Sequence, residues 1–226
     1  MKVTTDACLF GAWIANQLLL YPTPHHILDI GAGTGLLSLM LAQASESTRI
    51  DAIEPNQAAF QEARENFAAS PWSHRMHVFP RTLQDYHPPG RYDLIVCNPP
   101  FFANSKKGQS AYKNQALHAD DLSQEALIEH VEKLLLPTGA LFVLYPPMEM
   151  SSFEGKIAGL LRPFSRIQVR NSADSQVMRT MTYFRSGTKE TSNSELIIRQ
   201  ANGKYTNEFW ALLEQYYLEY NSPHLG

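Results

Sequence analysis

The sequence predicts an α/β fold with a mostly parallel sheet and helices on both of its faces, and three observations predict it. Short apolar runs alternate with longer amphipathic stretches over the first 145 residues, the pattern of β–α units joined by right-handed crossovers. A glycine-rich turn, Gly31-Ala-Gly33-Thr-Gly35, joins the first apolar run to a helical stretch. A carboxylate, Glu54, closes the second run roughly twenty residues further on, the spacing at which open α/β sheets hold a ribose.

The elements follow in order. Residues 7–20 read as an amphipathic helix. Lys2 and this apolar stretch have the outline of a secretory leader, but Asp6 opens it, Asn16 and Gln17 interrupt it, and no small-x-small cleavage site precedes Pro22; a signal peptide is not expected. Strands are expected at 27–30, 49–53, 76–79, 92–97 and 140–145. Helices are expected at 35–44, at 56–69 with Asn56 as N-cap, and at 122–136, the last ended by Pro137-Thr-Gly139. A polar loop, 103–116, follows the fourth strand. After Ser151 come a helix, two or three β-branched strands and a final helix at 207–220. No repeat or linker divides the chain, so 1–226 reads as one domain, with the ligand-binding core in 1–150 and an appended unit of strands and helix in 151–226.

Composition narrows the class. The chain has 226 residues, 44% hydrophobic and 18% charged, enough to build a core without disulfides or metals. No apolar run approaches the ~20 residues of a membrane span. A net charge of −3 exerts no global pull on nucleic acid or membrane, and two cysteines, Cys8 and Cys97, give no disulfide framework; a reducing cytoplasm is expected.

The glycine turn lies where open α/β sheets bind ligands, at the carboxyl end of the first strand. A dinucleotide fingerprint requires glycine at position 36, where this chain has Leu36, so a nicotinamide cofactor is disfavoured. With Glu54 placed to accept both hydroxyls of a ribose, an adenosine-type cofactor is expected. Asp29 suits two roles that can coexist: bracing the loop and facing a cationic group of the cofactor.

The fourth strand runs into Asn98-Pro99-Pro100-Phe101. Two prolines make the corner rigid and remove two backbone donors, leaving its carbonyls available. The exocyclic amine of adenine is a poor nucleophile because its lone pair is delocalised into the ring. The Asn98 side-chain oxygen and the Pro99 carbonyl can each accept one of its N–H groups and favour a pyramidal nitrogen, while Phe101 stacks on the base. Read alone, Asn-Pro-Pro-Phe is an ordinary strand-ending turn; its place after a glycine loop favours the chemical role.

These motifs together resemble class I N6-adenine methyltransferases. Met1-Lys-Val-Thr-Thr-Asp6-Ala-Cys-Leu-Phe-Gly11-Ala-Trp13, Ser70-Pro-Trp-Ser-His-Arg75, Leu196-Ile-Ile-Arg199, Tyr205-Thr206 and Tyr216-Tyr-Leu218 are similar to segments of the bacterial tRNA1(Val) adenine-N6 methyltransferases. The resemblance spans nearly the whole chain. It implies a Rossmann-like class I methyltransferase with a seven-stranded sheet and a terminal β-hairpin elaboration. It implies S-adenosyl-L-methionine as cofactor, tRNA as partner, methylation of the adenosine 3′ of the anticodon, no metal, no membrane, and a cytoplasmic monomer. It implies Thr5, Asp6, Asp29 (towards the methionyl ammonium), Gly31, Ala32, Gly33, Gly35, Glu54, Pro55, Thr82, Leu83 and Asn98 as cofactor-binding residues, and Asn98, Pro99, Pro100 and Phe101 as catalytic. Two departures stand out. Family members usually carry a segment before the position of Lys2, and they tend to have Asp near the adenine amine, where this chain has Thr82 with Asp85 one turn later.

Other features read as structural. Eight histidines show no metal spacing, and His25-His26 reads as a polar strand edge. Cys97 reads as packing, as does the cluster Phe209, Trp210, Tyr216, Tyr217. Charge says more. Residues 156–204 hold nine basic residues against three acidic ones, so Arg170 and Arg179 there, with Lys106, Lys107 and Lys113 after the corner, are candidate tRNA contacts. The same corner chemistry would serve a methyltransferase on a protein glutamine or on another nucleic-acid base, and a non-catalytic RNA-binding module is the remaining alternative.

Overall fold

The computed structural model describes residues 4–20, 24–99, 122–187 and 190–216. The apolar runs become the parallel strands β1 (His26–Ile30), β2 (Arg49–Ile53), β3 (Met76–Phe79), β4 (Tyr92–Cys97) and β5 (Leu135–Tyr145). They show little alternation because helices cover both faces. The helices are α1 (Thr5–Leu20), α2 (Leu36–Ala44), α3 (Gln57–Ala69), α4 (Gln124–Leu134) and α5 (Pro147–Ile157). The C-terminal part adds β6 (Arg162–Arg170), β7 (Val177–Arg185), β8 (Ser192–Ile197) and α6 (Asn207–Leu213).

Among the described residues, all eight strands form one sheet in the order β3-β2-β1-β4-β5-β7-β6-β8. β7 enters between β5 and β6, antiparallel to both, and β8 runs parallel to β6 at the far edge. The sheet therefore has eight strands rather than the seven expected. The β-branched stretch after Ser151 yields a hairpin plus a further edge strand, because β8 can satisfy its backbone on the open side of β6. One face of the sheet packs on α1, α2 and α6 through Phe10, Trp13, Leu41, Phe142, Tyr183 and Phe209. The other packs on α4 and α5 through Ile95, Leu127, Val131 and Phe153. Phe209 stacks on Tyr205 at 4.3 Å between ring centroids and lies edge-on to Trp210, and Trp210 and Tyr216 pack against the same core as expected; Tyr217 lies outside the described residues.

Local signals explain several boundaries. Asn56 caps α3, its side-chain oxygen accepting the N–H groups of Ala58 and Ala59. Ser123 caps α4 in the same way. α4 ends at Leu134, and Leu135 already pairs with Tyr92 of β4; the ladder resumes at Leu94 and Ala140, so Pro137-Thr-Gly139 forms an irregularity inside β5 instead of a turn before it. Arg75 is buried and donates to the carbonyls of Ala42, Ser45 and Thr48, closing the C-terminal end of α2. At the amino ends of the strands, Asp51 is buried, with His26 Nε2 at 2.9 Å and the Tyr92 hydroxyl donating to it at 3.0 Å. His26 is thus the partner of a buried carboxylate rather than a loose polar edge.

Candidate functional site

The carboxyl ends of β1, β2 and β4 open into a cavity of about 400 Å³, within the size range of small-ligand pockets. Its floor is the glycine loop. Gly31, Gly33 and Gly35 have φ of 72°, 57° and 82°, the left-handed region that side chains disfavour. Gly31 faces the cavity, with nothing within 4 Å of where a Cβ would stand. Gly35 begins α2, and a Cβ there would collide with the ring of Phe67. The loop is tied down by Gly31 and Ala32, whose N–H groups donate to the Ile53 carbonyl at 2.9 and 3.1 Å.

Glu54 stands beside it, 6% exposed. One of its oxygens accepts the Gly33 N–H at 2.8 Å and the other accepts the Asn56 N–H at 2.8 Å. Each oxygen retains acceptor capacity towards the cavity, so the same carboxylate can brace the loop and hold a diol. Asp29 lies at the end of β1 and accepts a hydrogen bond from the Ser38 hydroxyl at 2.6 Å. Burial pushes its carboxyl up to about 7; hydrogen bonds from Ser38 draw it down and the nearby Glu54 raises it further. Of these causes, only the Glu54 carboxylate is a negative potential at Asp29, and a cationic ligand group would offset it.

Asn98 closes β4 and, with Pro99, lines the cavity. Its Oδ1 is buried and accepts no hydrogen bond among the described residues. A buried carboxamide oxygen without a donor is costly, and a ligand N–H would satisfy it. Cys97, just before it, is fully buried, its thiol pushed well up by burial and by Asp29, which suits packing and not nucleophilic chemistry.

The model for the methyltransferase small domain matches residues 11–153. A tRNA1(Val) (adenine(37)-N6)-methyltransferase of Cytophaga hutchinsonii is 40% identical over 224 residues, covering 96% of this chain and 91% of that protein. One of Flavobacterium psychrophilum is 37% identical over 222 residues, covering 97% and 93%. The chain belongs to the tRNA1(Val) (adenine(37)-N6)-methyltransferase family. The solved structure of a predicted O-methyltransferase of Agrobacterium tumefaciens shares the fold, with a TM-score of 0.70 at 15% identity over 92% of this chain and 95% of that one.

Most residues that the family resemblance singled out meet at the cavity: Asp6, Asp29, Gly31, Ala32, Gly33, Glu54, Pro55, Thr82, Leu83, Asn98 and Pro99 all line it. Two do not. Thr5 is exposed and off the lining; its neighbour Thr4 takes the place, its hydroxyl accepting the Ala7 N–H at 3.4 Å to cap α1. Gly35 is off the lining because its task is to start α2 against Phe67. Thr82 faces the cavity, and its hydroxyl donates at 2.7 Å to Asp85, which stands one step back from the lining. Pro100, Phe101, Lys106, Lys107 and Lys113 lie outside the described residues.

The basic stretch fares differently in space than in sequence. Lys156 pairs with Glu125, Arg166 with Glu154, and Arg170 with Glu195. Arg179 pairs with Asp6 at 2.9 Å and lies in the cavity wall instead of on an open basic face. Three of these acids come from outside the 156–204 segment, so the surplus counted along the chain is larger than the surplus in space. Sequence reasoning missed the cavity positions of Arg179, Arg81 and Leu122. Only the placement of β7 beside β5 reveals the first, and no local motif marks it. Among the described residues no group of three or more His, Cys, Asp or Glu is arranged to hold a metal, and no helix is long and apolar enough to cross a membrane.

Proposed function

We propose that the chain transfers a methyl group from S-adenosyl-L-methionine to N6 of adenosine 37, beside the anticodon, in tRNA1(Val), acting in the cytoplasm. The observation that carries this reading is the Asn98 Oδ1, buried at the mouth of the glycine-loop cavity without a donor among the described residues, in a chain of this family. Glu54 has the acceptor capacity for the ribose hydroxyls. Gly31 leaves room for close approach of the ligand to the backbone, and Leu83 offers apolar surface to the adenine ring, with Thr82 at its edge. Asp29 favours the positive amino-acid end.

The bound cofactor supplies an electrophilic methyl on a sulfonium. At the other reactant, Asn98 Oδ1 accepts one N–H of the adenine amine and the Pro99 carbonyl accepts the second. Both bonds grow stronger as the nitrogen becomes pyramidal and its lone pair turns to the new C–N bond, so they lower the barrier more than they tighten substrate binding. The amine then loses one proton to solvent. The resemblance assigns Phe101 to stack on the flipped base; an anticodon-loop base is splayed out more cheaply than one in a duplex.

The tRNA lies across the carboxyl ends of β6 and β8 and the amino end of β7, where Arg170 ends β6 and Arg199 follows β8. The Arg199 N–H donates to the Asn171 carbonyl at 2.9 Å, which sets it beside Arg170, and Lys204 lies in the turn that returns to Tyr205. β7 flanks β5, β6 and β8 lie beyond it, and the three strands extend the sheet on the β5 side of β4, the strand that Asn98 follows. The test is methyl transfer to unmodified tRNA followed by nucleoside mass spectrometry. N6-methyladenosine at position 37 is expected. Transfer to release-factor glutamine instead, or to another tRNA position, overturns the reading.

A further inference from the structure

The Asp6–Arg179 pair joins residues 173 positions apart. Asp6 sits in the first turn of α1. Arg179 lies near the start of β7, and the next residue, Thr180, pairs with Tyr145 at the carboxyl end of β5. Arg179 Nε donates to Asp6 Oδ2 at 2.9 Å, and its Nη1 donates to the Met178 carbonyl at 2.8 Å. These two bonds fix the plane of the guanidinium. Both residues line the cavity, with side chains 28% and 19% exposed. An ion pair so placed adds little stability by itself, yet it holds two long-range elements at the edge of a ligand site.

Among the described residues, the cavity lining carries three carboxylates, Asp6, Asp29 and Glu54, and two guanidinium groups, Arg81 and Arg179. Arg81 follows β3, and β2, β1, β4 and β5 separate β3 from β7 in the sheet. The two cations therefore stand at opposite ends. With the ribose at Glu54, just after β2, and the adenine beside Thr82 and Leu83, the amino-acid tail of an adenosylated ligand extends towards β4, β5 and the start of α1. A zwitterionic tail needs an anion for its ammonium and a cation for its carboxylate, and the planar fork of arginine matches a carboxylate.

We propose that Arg179 binds the carboxylate of the cofactor's amino-acid tail, with Asp6 holding the guanidinium in register. The assignment rests on the S-adenosylmethionine reading and makes Arg179 a cofactor-binding residue instead of a tRNA contact. It makes the enzyme selective for adenosyl ligands that retain the amino-acid carboxylate.

Calorimetry on the full chain tests this with S-adenosylhomocysteine, decarboxylated S-adenosylmethionine and 5′-methylthioadenosine, which lacks the tail altogether. Wild type should bind S-adenosylhomocysteine most tightly. Arg179→Met should weaken S-adenosylhomocysteine roughly 10- to 100-fold, the loss of a charge-assisted contact, and leave 5′-methylthioadenosine within about twofold; Arg179→Lys should recover part of the loss. Decarboxylated S-adenosylmethionine should lose little in either variant. Equal losses for all three ligands would mean that Arg179 only braces α1, and would overturn the assignment. So would unchanged S-adenosylhomocysteine affinity with a loss confined to tRNA binding. Should wild type bind none of the three, the cofactor reading itself fails, an outcome distinct from a failure at Arg179.

Discussion

Glu54→Gln separates two tasks that one carboxylate performs. Glu54 is almost fully buried and accepts the Gly33 and Asn56 N–H groups, each at 2.8 Å. Glutamine keeps one acceptor oxygen and turns the other position into an NH2 donor, which then opposes a backbone N–H. Leaving one buried donor unmet costs about 1–3 kcal/mol. For a chain of this size each kcal/mol is worth roughly 2–4 °C, so the melting temperature without ligand should fall by about 2–12 °C. Glu54→Ala removes both acceptors and should fall further. The ribose contact is a separate quantity. Losing one charge-assisted bond of about 1.5–3 kcal/mol lowers S-adenosylhomocysteine affinity roughly 10- to 150-fold. Thermal melts of the free protein and calorimetry with S-adenosylhomocysteine read the two effects independently. Adenine alone, which has no ribose, should bind the variant nearly as it binds wild type. An unchanged melting temperature would refute the bracing role. An unchanged S-adenosylhomocysteine affinity, or an equal loss for adenine, would refute the ribose contact.

Three further outcomes follow from the geometry. Asn98→Ala should lower kcat for tRNA methylation roughly 10²- to 10³-fold, by analogy with loss of a transition-state hydrogen bond, and leave S-adenosylhomocysteine affinity within a few-fold; near wild-type turnover would remove Asn98 from the chemistry. Burial raises the Asp29 carboxyl to about 7, above its unfolded value of about 4, so the folded protein binds more protons between those values. Stability should fall as pH rises through that window and level off above it. Asp29→Asn should flatten that fall in melts taken from pH 4.5 to 8, and parallel curves for wild type and variant would contradict the assignment. Arg199→Glu with Lys204→Glu should weaken tRNA binding and flatten its dependence on log salt by about one to two units, read by filter binding at several salt concentrations, while S-adenosylhomocysteine affinity stays the same; an unchanged slope would send the RNA path elsewhere.

Local chemistry and periodicity determine much of this protein without reference to its three-dimensional structure. Gly31, Gly33 and Gly35 announce a loop of left-handed backbone because other residues resist that geometry. Asn56 marks the start of α3 because its short side chain reaches the orphan N–H groups of the first turn. Glu54 and Asn98 are legible because each ends a strand, and strand ends in a parallel sheet converge on one crevice. Tertiary structure decides what depends on residues far apart in the chain. The eighth strand forms because β7 slips between β5 and β6 and leaves an open edge for β8, a pairing that no single segment encodes. Asp6, Glu125 and Glu154 reach the basic segment 156–204 only through the fold, so charge counted along the chain misjudges the surface. Arg179 has the composition of an RNA contact and the position of a cavity wall. Its partner lies 173 residues away, and only the sheet order brings the two together.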